Sequence, residues 1–468
     1  MKRSIRRAAF LLVPGVSCSR AYIQKIKDEG YTDLSPYLVP NQDAYTGQGF
    51  SWEQVCEVAE WATEFGLGLK LFTGYMKYRE EFLREHPERR MVCLRVTGGS
   101  GPPVERNWRC PFQPENKADY VALLSKVVQL PPLREIHLND EASIGFPDGS
   151  IGCYCDYCVS EFERKFGAPP PRKADWGSEV WWQWIQHRME GWTEVHAYFR
   201  SEVKKQRPDV AVGIQLNAST VAAFAHNPWL VGIDLAHDAQ AQDVLATNAY
   251  HHTQYPRWTY RPIRRILTEA VRTTGGAAVQ RSMNIYPSAF FIPQTCLELN
   301  HQDGFFAGTV PFALGAETAT FLSHEMMELL PPGFIDGFQQ ARALDPYFER
   351  TRPYSYATVV NPSQTEIYGY PERSWGREAL THWADVMYHV GLPWRWLFDR
   401  RLSDAADGLA GPVILPEAHC LKEEQRAILK EYVESGGGCS GWVARRLRTG
   451  RGVGRVRRLL ERLLRLRS

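Results

Sequence analysis

REIHLNDEASIG, residues 134–145, is the stretch whose reading decides the fold. Apolar Ile136 and Leu138 alternate with polar neighbours, the period of a strand, and Asn139, Asp140 and Glu141 then emerge together. A strand that ends in an amide and two carboxylates suits an architecture whose chemistry sits at strand carboxyl ends. In a closed ring of eight parallel strands, each followed by a helix, that edge is the mouth of the barrel.

Further short apolar runs, alternating with helical stretches, lie on either side of it. Phe10–Val13, Tyr31–Val39, Leu67–Thr73, Val210–Leu216, Asp243–Tyr250, Ala277–Ile285 and Thr318–Ser323 read as strands, and with Arg134–Asn139 they number eight. Ser51–Phe65 has a helix-period apolar face with Ser at its N-cap position. The expected fold is therefore an α/β protein with a (β/α)8 TIM barrel over residues 1–350. A smaller α/β layer unit follows over 351–438: YATVVNPSQTEIYGY as a strand with a polar loop, REALTHWADVMYHVG as a helix closed by Gly391, GPVILPEAH as a second strand and KEEQRAILKEYVESGGG as a helix with a Gly stop. A further strand is expected after that stop. The text changes instead to an Arg-dense tail, 439–468, so the unit reads as incomplete. The tail reads either as a basic amphipathic segment for an acidic surface or as residues foreign to the domain, introduced by cloning or a frame error.

Composition excludes several classes. With 44% hydrophobic residues, 23% charged and a formal charge of +2, the chain is neither disordered nor a polybasic nucleic-acid binder. The opening MKRSIRRAAFLLVPG imitates an export signal, but Pro14 and Gly15 interrupt a short apolar run that serves better as the first strand. No membrane span is expected, and a cytoplasmic location is. Fifteen Trp, 21 Tyr and 21 Phe supply flat faces that suit sugar rings as well as cores.

In a reducing compartment, clustered cysteines hold metal more readily than they form disulfides. Cys153, Cys155 and Cys158 fall within six residues on the loop after the fourth strand, and Cys110 is the best candidate for a fourth ligand. Four thiolates make a closed, structural zinc site rather than a catalytic one. At the strand ends, Glu141 fits the acid that protonates a departing glycosidic oxygen, although a carboxylate there can equally cap a loop or pair with an Arg.

The stretch from Cys93 to Leu216 resembles the β-galactosidases of glycoside hydrolase family 42. It carries Cys110-Pro111, Asn139-Asp140-Glu141, GCYCDYCVSEFERKFG and DWGSEVWWQWI in that family's order. The resemblance implies zinc on Cys110, Cys153, Cys155 and Cys158, Glu141 as acid/base, a carbohydrate substrate and a truncated flavodoxin/amidotransferase-like second domain that supports a homotrimer. Two departures stand out. Asp140 occupies the place of the family's Asn, with Asn139 one position earlier; and Met283-Asn284 stands where the family has its nucleophile in a Met-Glu context. Asp140 and Glu325 are further candidates for the reaction, as are Asp234 and Asp238 for the missing acid. Tyr250, His251, Trp258, Asn284, Tyr286 and His324, with Asn139, are candidates for holding sugar or for packing the rim. The alternative to a hydrolase is a carbohydrate-binding or assembly protein that keeps barrel and zinc without a nucleophile.

Overall fold

Eight parallel strands close on themselves in sequence order: β1 Arg6–Leu11, β2 Asp33–Leu38, β3 Gly68–Thr73, β4 Leu133–His137, β5 Ala211–Leu216, β6 Val244–Tyr250, β7 Ser282–Ser288 and β8 Thr318–Phe321. Closure comes from β1 pairing with β8, Arg6 opposite Thr318 and Ala9 opposite Phe321. This is the (β/α)8 barrel expected from the sequence. The computed structural model describes residues 3–38, 49–76, 80–96, 102–138, 143–146, 148–216, 228–250, 263–279, 282–288, 299–321, 324–325, 331–368, 375–404, 409 and 411–442. They form two compact units, Met1–Tyr354 and Ser355–Ser468.

The outer helices follow from local signals. Among them are α1 (Arg20–Asp28), α2 (Trp52–Phe65), α3 (Pro114–Val127), α4 (Asp156–Phe166) and α5 (Glu179–Gln206). Ser51 accepts from Gln54 N while Gln54 Oε1 accepts from Ser51 N, a reciprocal cap that satisfies two otherwise orphaned amides of α2. Val55, Val58, Ala59, Ala62 and Phe65 form its buried stripe, and left-handed Gly66 ends it. Two expectations shift. Ala277 and Ala278 belong to the helix Ile263–Ala278, so β7 begins at Ser282 and runs on to Ser288. The first strand starts at Arg6 rather than Phe10.

The second unit holds four parallel strands, β9 Ala357–Asn361, β10 Trp394–Phe398, β11 Val413–Pro416 and β12 Cys439–Trp442, in the order β10-β9-β11-β12. Numbered within the unit this is 2-1-3-4, a doubly wound arrangement. Two readings change here. Cys439–Trp442 pairs with Val413–Pro416 as the fourth strand, so the strand expected after the Gly stop is present and the tail does not begin at Cys439. The polar stretch after β9 forms a short helix, Ser363–Tyr368.

Charged groups line the barrel interior. Arg6 on β1 reaches Glu135 on β4 at 2.6 Å, and Lys70 on β3 reaches Thr320 on β8 at 2.9 Å; neither pair is on neighbouring strands, so both cross the interior. Glu135 also meets Lys70 Nζ at 3.3 Å and His137 Nε2 at 2.5 Å. Burial would raise the Glu135 carboxyl, but Lys70 and Arg6 pull it well below the usual range. Burial, then Lys70, lowers His137 to about 4, and burial lowers Lys70 to about 8. The imidazole therefore stays neutral in the fold at pH values where the unfolded chain, with its ordinary value of 6.5, binds a proton. Stability is lost as pH falls from about 6.5 towards 4, and Glu135 adds a further loss below its ordinary value of 4.5. Thermal melting across this range should show that decline. In His137→Gln the portion above about 4.5 should flatten; an unchanged profile would assign the acid sensitivity elsewhere.

Candidate functional site

Two kinds of side chain floor the barrel mouth. Near the carboxyl ends of β1, β2 and β3, Phe10, Tyr37 and Phe72 pack together, with centroids 5.3 Å apart for Phe10–Phe72 and for Tyr37–Phe72. On β5, β6 and β7 the floor is amide: Gln215 Nε2 donates to Asn248 Oδ1, and Asn284 Oδ1 accepts from Thr320 Oγ1 at 3.0 Å. All three amides are buried, and Asn284 Nδ2 finds no partner among the described residues. Gln215 and Asn248 were not among the residues singled out from sequence. Alternation along β5 and β6 was the signal available for them.

Asn139, Asp140, Glu141, His251 and Trp258 lie outside the described residues, as do the side chains of Tyr250 and Tyr286. The ends of the segment carrying Glu141 are nevertheless fixed. Leu138 N donates to Gly213 O at 2.9 Å, and Ile144 N donates to Val231 O at 2.9 Å. Glu325 spends Oε1 on three donors, Leu12 N at 2.7 Å, Val13 N at 3.0 Å and Ser17 Oγ at 2.7 Å, and so ties down the loop after β1. His324 is held at both ring nitrogens, by Tyr22 Oη at 2.9 Å and Glu29 Oε2 at 2.7 Å, beside a cavity of about 70 Å3 against α1. Asp234 caps a short helix through His237 N, and Asp238 pairs with His196 of α5 at 2.8 Å.

The four cysteines do come together. A three-stranded antiparallel sheet, with Arg90–Arg95 between Val104–Arg109 and Ser150–Gly152, delivers Cys110 and Cys153 from the ends of its outer strands. Cys155 is the N-cap residue of α4, and Cys158 lies in its first turn. All four are buried, their sulfurs lie within 4.8 Å of one another, and Cys110 Sγ is 3.5 Å from Cys158 Sγ. A tetrahedral ion with metal–sulfur bonds of about 2.3 Å requires sulfur–sulfur edges of about 3.8 Å. The donor set fits a metal ion. Burial drives the Cys110 and Cys158 thiols well above their usual range, whereas neighbouring S–H groups donating to Cys155 pull it down. A central dication would relieve the crowding of charge among four thiolates. Gln113 Nε2 stands 3.7 Å from Cys155 Sγ, and Asn116 Nδ2 donates to Cys110 O at 2.9 Å, supporting the ligands from behind.

One buried guanidinium links this cluster to the mouth. Arg188, on the apolar stripe of α5, donates to Gly152 O, to Trp229 O at 2.9 Å, to Ile144 O at 3.1 Å and to Leu230 O at 3.3 Å. Burial lowers it to about 10. It thereby binds the residue before Cys153, the chain just after Glu141 and the connection after β5 into one assembly. The sequence signal was a lone Arg in a stripe of Trp181, Trp184, Ile185 and Trp192.

No family model matches the chain, and no curated protein sequence matches it. Solved structures do. The chain is similar to the β-galactosidase of the psychrophilic Marinomonas ef1 (TM-score 0.69, 10% identity, 93% of this chain and 75% of that one). It is similar to the β-galactosidase of Bacillus circulans sp. alkalophilus (TM-score 0.70, 13% identity, 94% and 71%). A catalytic mutant of Gan42B, a GH42 β-galactosidase from G. stearothermophilus, is similar too (TM-score 0.67, 12% identity, 94% and 71%). At such identities the likeness is one of fold. Among the described residues no helix is long and apolar enough to cross a membrane.

Arg188→Met would remove a donor from four carbonyls, of which Ile144 O keeps Gly152 N at 2.7 Å, and would break the tie between their segments, so it should cost about 3 kcal/mol in thermal or denaturant unfolding. Elemental analysis of the full chain should find about one metal ion per molecule, and Cys158→Ser should abolish it. A well-folded, metal-free wild type would remove the site.

Proposed function

We propose that the chain is a glycoside hydrolase acting on a β-galactoside or related glycoside, with Glu141 as general acid. The observation that supports this reading is that Leu133–His137 is the fourth strand of the barrel. β4 ends at His137, Asn139-Asp140-Glu141 come next in the sequence, and the carboxyl ends of such strands are where these barrels display their chemistry. The shared fold with β-galactosidases supports the same class of substrate. In this reading Glu141 gives its proton to the leaving oxygen as the glycosidic bond breaks. Asn139 and Asp140 precede it in sequence, and Tyr250, His251, Trp258 and Tyr286 supply the sugar contacts. A second acid about 5–5.5 Å from Glu141 would retain anomeric configuration, and one at about 6.5–9.5 Å would invert it.

The metal is read as zinc, since four buried thiolates in a closed set suit a structural zinc site. Reduced thiols also suit a cytoplasmic protein. The 2-1-3-4 sheet of the second unit supports the flavodoxin/amidotransferase-like assignment, and a homotrimer is the assembly that goes with it.

A second reading is favoured by β7. No residue of Ser282–Ser288 is acidic, and Asn284 is committed to Thr320 inside the barrel. A barrel without a nucleophile would bind carbohydrate without cleaving it. The readings part in one experiment. Full-length protein is assayed on a panel of aryl β-glycosides beside Glu141→Gln. Hydrolysis by the wild type, reduced about 100-fold or more in the variant, supports the enzyme. Saccharide binding with no turnover supports the binding protein, and equal rates in the two proteins reject Glu141.

A further inference from the structure

On the outer layer of the barrel, α3, α4 and α5 border a pocket of about 310 Å3 that is open to solvent beside Glu194 and Tyr198. That is the lower end of the range for small-ligand sites, about 300–1,000 Å3. One wall is a helical stripe of α5, where Trp184, His187, Gly191, Glu194 and Tyr198 recur at spacings of three and four. Tyr157 and Glu161 of α4 face it, and Phe112 and Lys117 add to the lining. None of these residues takes part in the barrel mouth.

The lining chemistry selects among ligands. An anion would meet the carboxylates of Glu161 and Glu194, and a cation would meet Lys117, whose Nζ already lies 5.9 Å from the Tyr198 ring. Burial lowers His187 from its ordinary value, which favours a neutral imidazole able both to donate and to accept. A sugar ring suits the set: its two C–H faces can stack on aromatic rings such as Phe112, Tyr157 and Tyr198, and its hydroxyls can accept from Lys117 and donate to Glu194, and to Glu161 beside its pairing with Arg164 at 2.7 Å. Gly191 keeps the space open, since a Cβ there would come within 3.2 Å of the Phe112 ring. The thiol cluster sets the shape. Cys158 and Arg188 line the cavity themselves, and Phe112 lies two residues beyond Cys110. We propose that this cavity is an accessory binding site for a neutral saccharide ring, held in shape by the thiol cluster. It does not depend on whether the barrel mouth is catalytic.

The test uses the full chain labelled with 3-fluorotyrosine, with the fluorine resonances of Tyr157 and Tyr198 assigned through Tyr157→Phe and Tyr198→Phe. Methyl β-galactoside, β-glucoside and β-xyloside are titrated to about 50 mM, a concentration that fills even millimolar sites. Both resonances should shift saturably with at least one of them. Glu194→Gln should weaken the apparent affinity about tenfold, and Gly191→Leu should abolish the shift. Should Gly191→Leu fail to fold, the surface change Glu194→Gln decides alone. Glu141→Gln should leave both shifts intact, which separates this site from the proposed active site. Absence of any shift with the three glycosides overturns the proposal. So does a response to inorganic phosphate or trimethyllysine alone.

Discussion

A carboxylate with no access to water organises the barrel. Glu135 meets Arg6, Lys70 and His137 within the ring of strands, so β1 is joined through the interior to β4 and, by way of Glu135, to β3, neither of which it pairs with along an edge. Desolvating such charges is costly, and a set of this kind is weak evidence of net stability. Its effect is on arrangement. Slipping β4 by one residue would turn Glu135 and His137 towards the helices and leave Lys70 buried without its carboxylate. The register of the strand that leads to Glu141 is thus tied to charges deep in the barrel.

Above that layer the described residues of the connections after β4 and β5 are held from outside the ring. Arg188 holds the carbonyls of Gly152, Ile144, Trp229 and Leu230, and the antiparallel sheet brings Cys110 to Cys153, Cys155 and Cys158. Gly145 is part of the same fit, because a Cβ there would fall 1.8 Å from Leu230 O. A metal in the thiol cluster would therefore act on the mouth mechanically, by fixing where the chain after β4 turns. Its closed coordination leaves no position for a substrate.

Much of this was legible in the sequence, for reasons that differ between elements. The eight strands were visible because buried parallel strands form short apolar runs between helix-period stretches, and the cysteine spacing pointed to one ligand set. The error at the seventh strand came from Ala277 and Ala278, two small residues that suit a helix end as well as a strand start. The interior charges were missed for a deeper reason. Glu135 and His137 were taken as the polar side of an alternating strand, yet β4 is buried on both faces, so alternation there separates barrel interior from helix layer and not core from water. Arg188 was not singled out, because an Arg is ordinarily a surface residue whereas this one is buried in the apolar stripe of α5.

The acids weighed for the second role carry the remaining argument. Glu325, Asp234 and Asp238 each already hold something: three donors after β1, a helix N-terminus and His196. Removing any of them would disturb a loop or helix, so a loss of activity in such a variant would not by itself identify a nucleophile. Asn284 presents the converse case. It is uncharged, buried and bonded to Thr320, and a carboxylate in its place would have to share the interior with Glu135. Two carboxylates in that volume would compete for Lys70 and Arg6, with one driven towards its neutral form. An amide on β7 is therefore compatible with the charge arrangement that sets the register of β4, whereas an acid at the same position would disturb it.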